Sequence, residues 1–333
     1  MNLKIGIIGV GMIGQDHIRR LTTVLAGASV VAVSDVNAAQ AEAVAAGIGA
    51  TCHATGEALI AAKEVEAVVV TSWGPTHATY VLAAIAAGKP VFCEKPLAET
   101  VEECEAVLDA ETKHGKRLVQ LGFMRRFDAQ YRAMKETVLS GAIGAPLIFQ
   151  SGHRNPSVPG YYTANNALTD TAVHDIDTAR FLLDDEPVAI TVKSPRKNSR
   201  GGGLADPLLT LLEMRSGALV TIETSVNIAY AYDIRGEIIG ETGVVTLAER
   251  NDVVVKANGV FSGRVPADWK ERFSAAFDTE FREWIAAARA GGATGPSSWD
   301  GYVATAVTTT GVKAIASGAR EPITLRQRPA LYA

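Results

Sequence analysis

The chain has 333 residues, 47% of them hydrophobic and 20% charged, with a formal net charge of -4. That length exceeds one ordinary core, so two domains are expected, and the charge gives no electrostatic case for nucleic acid or an anionic membrane as partner. Cys52, Cys93 and Cys104 lack metal-ligand spacing, which predicts a reducing compartment, no disulfide framework and no metal centre. No apolar run approaches the ~20 residues of a membrane span, and Met1 to Ile5 leads straight into a strand without a signal-like segment. A cytoplasmic location is the expectation.

Lys4 to Gly9 reads as a short apolar strand of the kind buried on both faces of a parallel sheet. Gly9-Val10-Gly11-Met12-Ile13-Gly14 follows, a G-x-G-x-x-G whose glycines allow a tight turn, close approach to a pyrophosphate and close helix–strand packing. The helix expected from Met12 to Leu25 would aim its free N–H groups and positive dipole end at the phosphates. A second strand, Val30 to Val33, ends at Asp35, 21 positions after Gly14, where such folds place an acid on the adenosine ribose. An acid there repels a 2′-phosphate, which favours NAD over NADP. The alternative for Asp35 is an N-cap of the helix near Asn37 to Ala46.

The alternation continues with a strand at Glu66 to Thr71, a helix at Thr76 to Ala87, a strand at Pro90 to Cys93, a helix at Glu99 to His114 and a strand at Arg117 to Gly122. Gly88 and Gly115 stand where helix C-caps belong. These five strands with intervening helices, and a sixth expected of such a sheet, make a dinucleotide-binding domain over residues 1–122. Thr71-Ser72-Trp73-Gly74-Pro75-Thr76-His77 lies at the carboxyl edge of its strand, so Ser72, Trp73, Pro75 and His77 are candidate walls of the nicotinamide pocket. Trp73 packing on the protein and His77 merely starting a helix is the alternative. At the next strand end, Glu94-Lys95-Pro96 puts an ammonium group at the ligand edge; the bland alternative is a solvated turn.

Beyond Gly122 the pattern changes. Phe123-Met124-Arg125-Arg126-Phe127-Asp128 leads into a helix at Ala129 to Leu139, then a strand at Pro146 to His153 and a polar loop through Asn155. Thr169 to Asp177 reads as a helix start in which Asp170 and His174 are i and i+4 on one face, so the carboxylate can orient the imidazole; an N-cap or early-turn acid beside a satisfied surface or core histidine is the alternative. Strands at Val188 to Lys193, Leu208 to Met214, Ala218 to Asn227, Tyr232 to Gly240 and Gly243 to Leu247 predict an antiparallel meander, and hence an α+β domain over 123–333 with one broad open sheet. Pro195 to Asp206 reads as a mobile polar loop. Helices at Phe277 to Arg289 and Ala304 to Ser317 close the chain. The free face of the broad sheet suggests a subunit interface.

These motifs resemble the glucose-fructose oxidoreductase / inositol dehydrogenase family along nearly the whole chain. Glu94-Lys95-Pro96 is similar to the family signature, and Asp170-x-x-x-His174 to its second part. Where the wider family often has asparagine after the fourth strand, this chain has Thr71-Ser72-Trp73-Gly74-Pro75, which resembles the inositol branch, as do Gly122 to Asp128 and His153-Arg154-Asn155-Pro156. The resemblance implies a catalytic set of Lys95, Asp170 and His174, with Met124, Arg125, His153, Asn155 and Tyr232 facing substrate. It implies NAD(H) on Gly9, Gly11, Met12, Ile13, Gly14, Asp35 and Glu94, a polyol substrate, a cis Lys95-Pro96 bond and a homotetramer built through the C-terminal sheets. The expected activity is NAD-dependent oxidation of a cyclic polyol, myo-inositol before scyllo-inositol, chiro-inositol or an aldose. A non-catalytic NAD-sensing regulator is the rival of another class; it would keep the glycine loop without the catalytic trio.

Overall fold

The computed structural model describes residues 2–196, 199, 204–248 and 253–333. By contacts the chain forms two units. The first comprises Met1–Met124, Phe277–Thr305 and Leu325–Ala333; the second comprises Arg125–Ala276 and Ala306–Thr324.

The first unit runs β1 (Leu3–Ile8), α1 (Met12–Arg19), β2 (Ala28–Ser34), α2 (Ala38–Ile48), β3 (Thr51–Cys52), α3 (Gly56–Ala61), β4 (Ala67–Val70), α4 (His77–Ala86), β5 (Val91–Cys93), α5 (Val101–His114) and β6 (Val119–Leu121). Its six strands are parallel in the order β3-β2-β1-β4-β5-β6. The order reverses between β1 and β4, and ligands of such sheets bind at that switch point beyond the strands' carboxyl ends. Every motif named above in this unit stands at that edge: Gly9 after β1, Asp35 after β2, Ser72 after β4 and Glu94 after β5. The predicted helix Met12 to Leu25 proves to be α1 followed by a π-helical turn, Arg20–Val24. Thr100 and Glu103 form a reciprocal capping box that starts α5, and Gly115 ends it in the left-handed region. The core beneath the sheet gathers Ile5, Ile7, Val30, Val33, Val69 and Phe92 with Phe281, Trp284 and Ile285 from far along the chain.

The second unit holds α6 (Ala129–Leu139), β7 (Pro146–Arg154), α7 (Ala164–Asn166), α8 (Val173–Leu183), β8 (Pro187–Lys193), β9 (Leu208–Met214), β10 (Leu219–Ser225), β11 (Asp233–Gly240), β12 (Val244–Thr246), β13 (Val255–Ala257) and β14 (Val260–Ser262). Two long helices, α9 (Trp269–Arg289) and α10 (Ser298–Ser317), each begin in one unit and end in the other, and β15 (Arg320–Pro322) completes the chain's strands among the described residues. Both helices start earlier than the sequence pattern suggested. The large sheet has the order β12-β11-β7-β10-β9-β8-β15. It is not the expected simple meander: β7 lies between β10 and β11 and pairs with β10 in parallel, the other pairs being antiparallel. One face carries Phe149, Ser151 and His153 of β7, all buried; the other leaves Leu209 and Leu219 exposed. Of the predicted mobile loop Pro195 to Asp206, Lys197, Asn198 and residues 200–203 lie outside the described residues.

Candidate active site

In the first unit, the glycine loop is built by exclusion of side chains. A Cβ on Gly14 would stand 2.1 Å from the Gly9 carbonyl oxygen, and one on Gly9, at φ +97°, 2.4 Å from the Ser72 nitrogen. Gly11, by contrast, caps α1 without a side-chain hydrogen bond, and a Cβ there would meet nothing within 4 Å. The space over the helix N-terminus is therefore open to a phosphate group, with exposed Met12 and half-buried Ile13 at its rim. Asp35 accepts the Val10 backbone N–H at 2.7 Å and that of Asn37 at 2.8 Å, clamping the loop to the end of β2. It is not the cap of α2; Asn37 is, through Gln40. Val36, next to it, is 97% exposed, an apolar surface at the nucleotide edge that the sequence motif did not single out. These residues fit a dinucleotide.

After β4, Trp73 is exposed and Ser72 bonds Thr76 through their hydroxyls at 2.7 Å. Pro75 sits in the short 3-10 turn Gly74–Thr76. His77 is buried, its ring set between the carbonyl oxygens of Pro96 (2.6 Å) and Ser72 (2.9 Å). It joins the two loops of the edge rather than presenting a ring to a ligand. After β5, Glu94 is nearly buried and takes the Lys95 backbone N–H on Oε2 at 3.3 Å. Lys95 is half-buried, and the Lys95-Pro96 bond is cis.

In the second unit, Thr163 caps the short helix α7, which passes through a π-helical turn, Ala167–Ala172, into α8. Asp170 lies exposed in that turn and His174 half-buried one residue into α8. Asp170 is thus not the N-cap, which Thr163 provides seven positions upstream, but it is an acid in the first turn of the π-helical segment, as the early-turn alternative had it. A π turn widens the helix and recurs at functional sites. Tyr162, missed in the sequence, holds its hydroxyl within hydrogen-bond reach of Thr171 Oγ1 (2.6 Å), the Asn166 carbonyl oxygen (3.0 Å) and Asp170 Oδ2 (3.2 Å). Burial and then the Asp170 carboxylate push this phenol up, so it stays a donor.

Behind α8 lies a closed polar cluster. Asp175 is wholly buried and receives Arg125 Nη1 at 2.6 Å and Ser151 Oγ at 2.6 Å, with His153 Nδ1 at 2.8 Å. Arg125 Nη2 also lies 2.9 Å from His153 Nδ1, but a ring nitrogen that donates to Asp175 cannot accept from a guanidinium, so Asp175 is the anchor the two share. Arg125 is 1% exposed, so its guanidinium fixes Asp175 and, through it, His153. Tyr232 is buried with its hydroxyl 3.4 Å from His153 Nε2, and burial raises its phenol to about 12. Asn155 is half-buried just past β7, and Met124 is buried at the start of the 3-10 turn Met124–Phe127. Among the described residues no group of three or more histidines, cysteines or acids is placed to hold a metal.

Residues 3–123 match the oxidoreductase family with an NAD-binding Rossmann fold, and residues 131–246 match the Gfo/Idh/MocA C-terminal domain. The chain is 51% identical over 333 residues to inositol 2-dehydrogenase 3 of Saccharopolyspora erythraea, covering 100% of this chain and 98% of that one. It is 50% identical over 336 residues to inositol 2-dehydrogenase of Azotobacter vinelandii, covering 100% and 99%. Among solved structures, myo-inositol dehydrogenase from Lactobacillus casei, in complex with NAD(H) and myo-inositol, superposes with a TM-score of 0.97 at 36% identity over 100% of both chains. With both domain matches in sequence order and full-length relatives at half identity, this chain belongs to the Gfo/Idh/MocA family of NAD-binding oxidoreductases.

Proposed function

We propose that this chain is an inositol 2-dehydrogenase that oxidises myo-inositol to 2-keto-myo-inositol (scyllo-inosose) with NAD+. The observation that carries this reading is identity of 51% and 50%, along the whole chain, to two proteins of that name. The retained Lys95, Asp170 and His174 support it, because a mere NAD sensor has no use for them.

When bound, the nicotinamide supplies the hydride acceptor. The rest is done by this chain. His174 takes the proton of the reacting hydroxyl, since an imidazole titrates near working pH. Asp170 orients that imidazole and favours its charged form, with the Tyr162 hydroxyl in reach of the carboxylate. Lys95 donates a hydrogen bond to the reacting oxygen and stabilises the developing alkoxide. His153, Asn155 and Tyr232 face the other hydroxyls of the polyol together with Met124, and Arg125 acts through Asp175 and His153. In this division the first unit holds the cofactor and the second the substrate and the subunit contacts of a homotetramer, so the boundary expected after Gly122 gives way to a first unit that takes back Phe277–Thr305 and Leu325–Ala333. A cytoplasmic location belongs to the same proposal, on the sparse cysteine usage of the sequence.

The test is NADH formation with NAD+ or NADP+ against myo-, scyllo- and D-chiro-inositol, glucose and xylose. Fastest turnover of myo-inositol, with NAD+ much preferred, is expected. Turnover of glucose or xylose without any inositol would sink the branch assignment, equal use of NADP+ would remove the role of Asp35, and no turnover at all would favour the regulator.

A further inference from the structure

One buried chain of contacts in the first unit has no part in the mechanism above. His17 on α1 is 0% exposed and ringed by Phe92, Phe277 and Phe281. Its Nε2 lies 2.9 Å from Glu94 Oε1, and its Nδ1 2.9 Å from Arg20 Nη1. A guanidinium only donates, so Nδ1 must accept, and the ring proton must sit on Nε2 and be given to Glu94. Arg20 is in turn held by Asp278 through Nε (2.7 Å) and by Asp16 through Nη2 (2.9 Å). The polarity of the whole row is thus fixed from Asp278 to the Glu94 carboxylate, whose other oxygen receives the Lys95 backbone N–H. Gly122 lies against the same carboxylate, where a Cβ would stand 2.8 Å from Oε2 and 3.0 Å from Oε1. Burial depresses His17 despite Glu94, which agrees with a neutral ring.

We propose that His17 is a positioning residue: as a neutral Nε2–H donor it sets the Glu94 carboxylate, and through it the backbone at Lys95, so that the helix of the glycine loop and the Glu94-Lys95-Pro96 turn form one rigid piece. The proposal rests on the reading of Lys95 as catalytic. A glutamine can reproduce both contacts, its amide nitrogen donating to Glu94 and its oxygen accepting from Arg20; a leucine fills similar space and can do neither.

The experiment compares wild type, His17→Gln, His17→Leu and Gly122→Ala, which crowds the Glu94 carboxylate directly. Two readouts are taken: hydrogen exchange at the Lys95 amide without substrate, and kcat and KM for myo-inositol and NAD+. His17→Leu is expected to speed exchange at Lys95 and to lower kcat by about 10²-fold, the effect of a misplacement near 1 Å, with KM for NAD+ unchanged. His17→Gln should restore both and leave the pH–rate profile as in wild type. Wild-type exchange and kcat in His17→Leu would overturn the inference, as would a His17→Gln no better than the leucine variant. Should His17→Leu fail to fold, Gly122→Ala decides: exchange at Lys95 must rise and kcat fall. If wild type turns over no inositol, the functional reading fails while the exchange pattern still decides this one.

Discussion

Lys95→Ala is expected to lower turnover by about 10²–10³-fold, as when one preorganised donor to developing negative charge is lost. NAD+ binding, followed by intrinsic fluorescence, should persist; near-normal turnover would displace Lys95 from the chemistry. Asp170 and His174 should behave as a unit. His174→Ala should be severe, Asp170→Asn substantial, and the double variant little worse than His174→Ala, whereas additive rate losses would remove Asp170 from the set. Asp175 makes a different kind of contribution. Burial pushes its carboxyl up, but Arg125 and His153 pull it down further, and it ends well below the usual carboxylate range. A carboxyl depressed in the folded state contributes stability in full above its unfolded value near 3.9, and that contribution is lost as pH falls through the folded value. Asp175→Asn should therefore destabilise the protein by about 3–5 kcal/mol at neutral pH, the effect of stranding a buried charge. Melting curves should show the variant losing less stability than wild type below about pH 4; parallel curves would contradict the assignment.

At the scale of elements, the glycine loop sets a steric condition. Gly14→Ala brings a Cβ to 2.1 Å from the Gly9 oxygen, so the turn must open and NAD+ affinity must fall; an unchanged titration would show that the turn does not seat the cofactor. Elements with strong period and clear ends were legible in the sequence. The bounds of α6 and β9 agree with expectation, and the turn Arg215-Ser216-Gly217 leads from β9 to β10 as read. What stayed hidden has physical causes. The two-residue strand β3 is too short to show a period. The place of β7 between β10 and β11 is a non-local pairing without a local signature. The π turns Arg20–Val24 and Ala167–Ala172 differ from α-helix only in backbone bonding. The start of α9 did have a signal: Asp268 accepts the Glu271 N–H at 2.9 Å, an acid three positions before a glutamate. The same contrast holds for the site. Glycine loop, Glu94-Lys95-Pro96 and Asp170-x-x-x-His174 are contiguous and could be read; His17 and Glu94, 77 positions apart, and Arg125 and Asp175, 50 apart, could not.

At the scale of the whole molecule, the proposed tetramer has a defined place to be tested. The outer face of the large sheet exposes Leu209 and Leu219, and the β13–β14 hairpin exposes Val255, Val260 and Phe261 beside a cavity of about 630 Å³ bordered by Arg154, Glu223 and Asp233. Phe261→Asp should shift the native mass toward smaller species, and an unaltered tetramer would exclude the hairpin from the interface; a wild-type monomer would end the proposal. The return of Phe277–Thr305 to the first unit bears on how the protein is made. Phe281, Trp284 and Ile285 belong to the same core as Ile5, Val30 and Phe92, so a ribosome that has finished the nucleotide-binding sheet still holds an incomplete core. Roughly half the chain must be translated before the missing aromatics emerge, although domains generally fold as units during synthesis. Premature termination after the last parallel strand should yield a sticky, chaperone-dependent product rather than a free nucleotide-binding module, and a 1–124 fragment expressed alone should be recovered as aggregate.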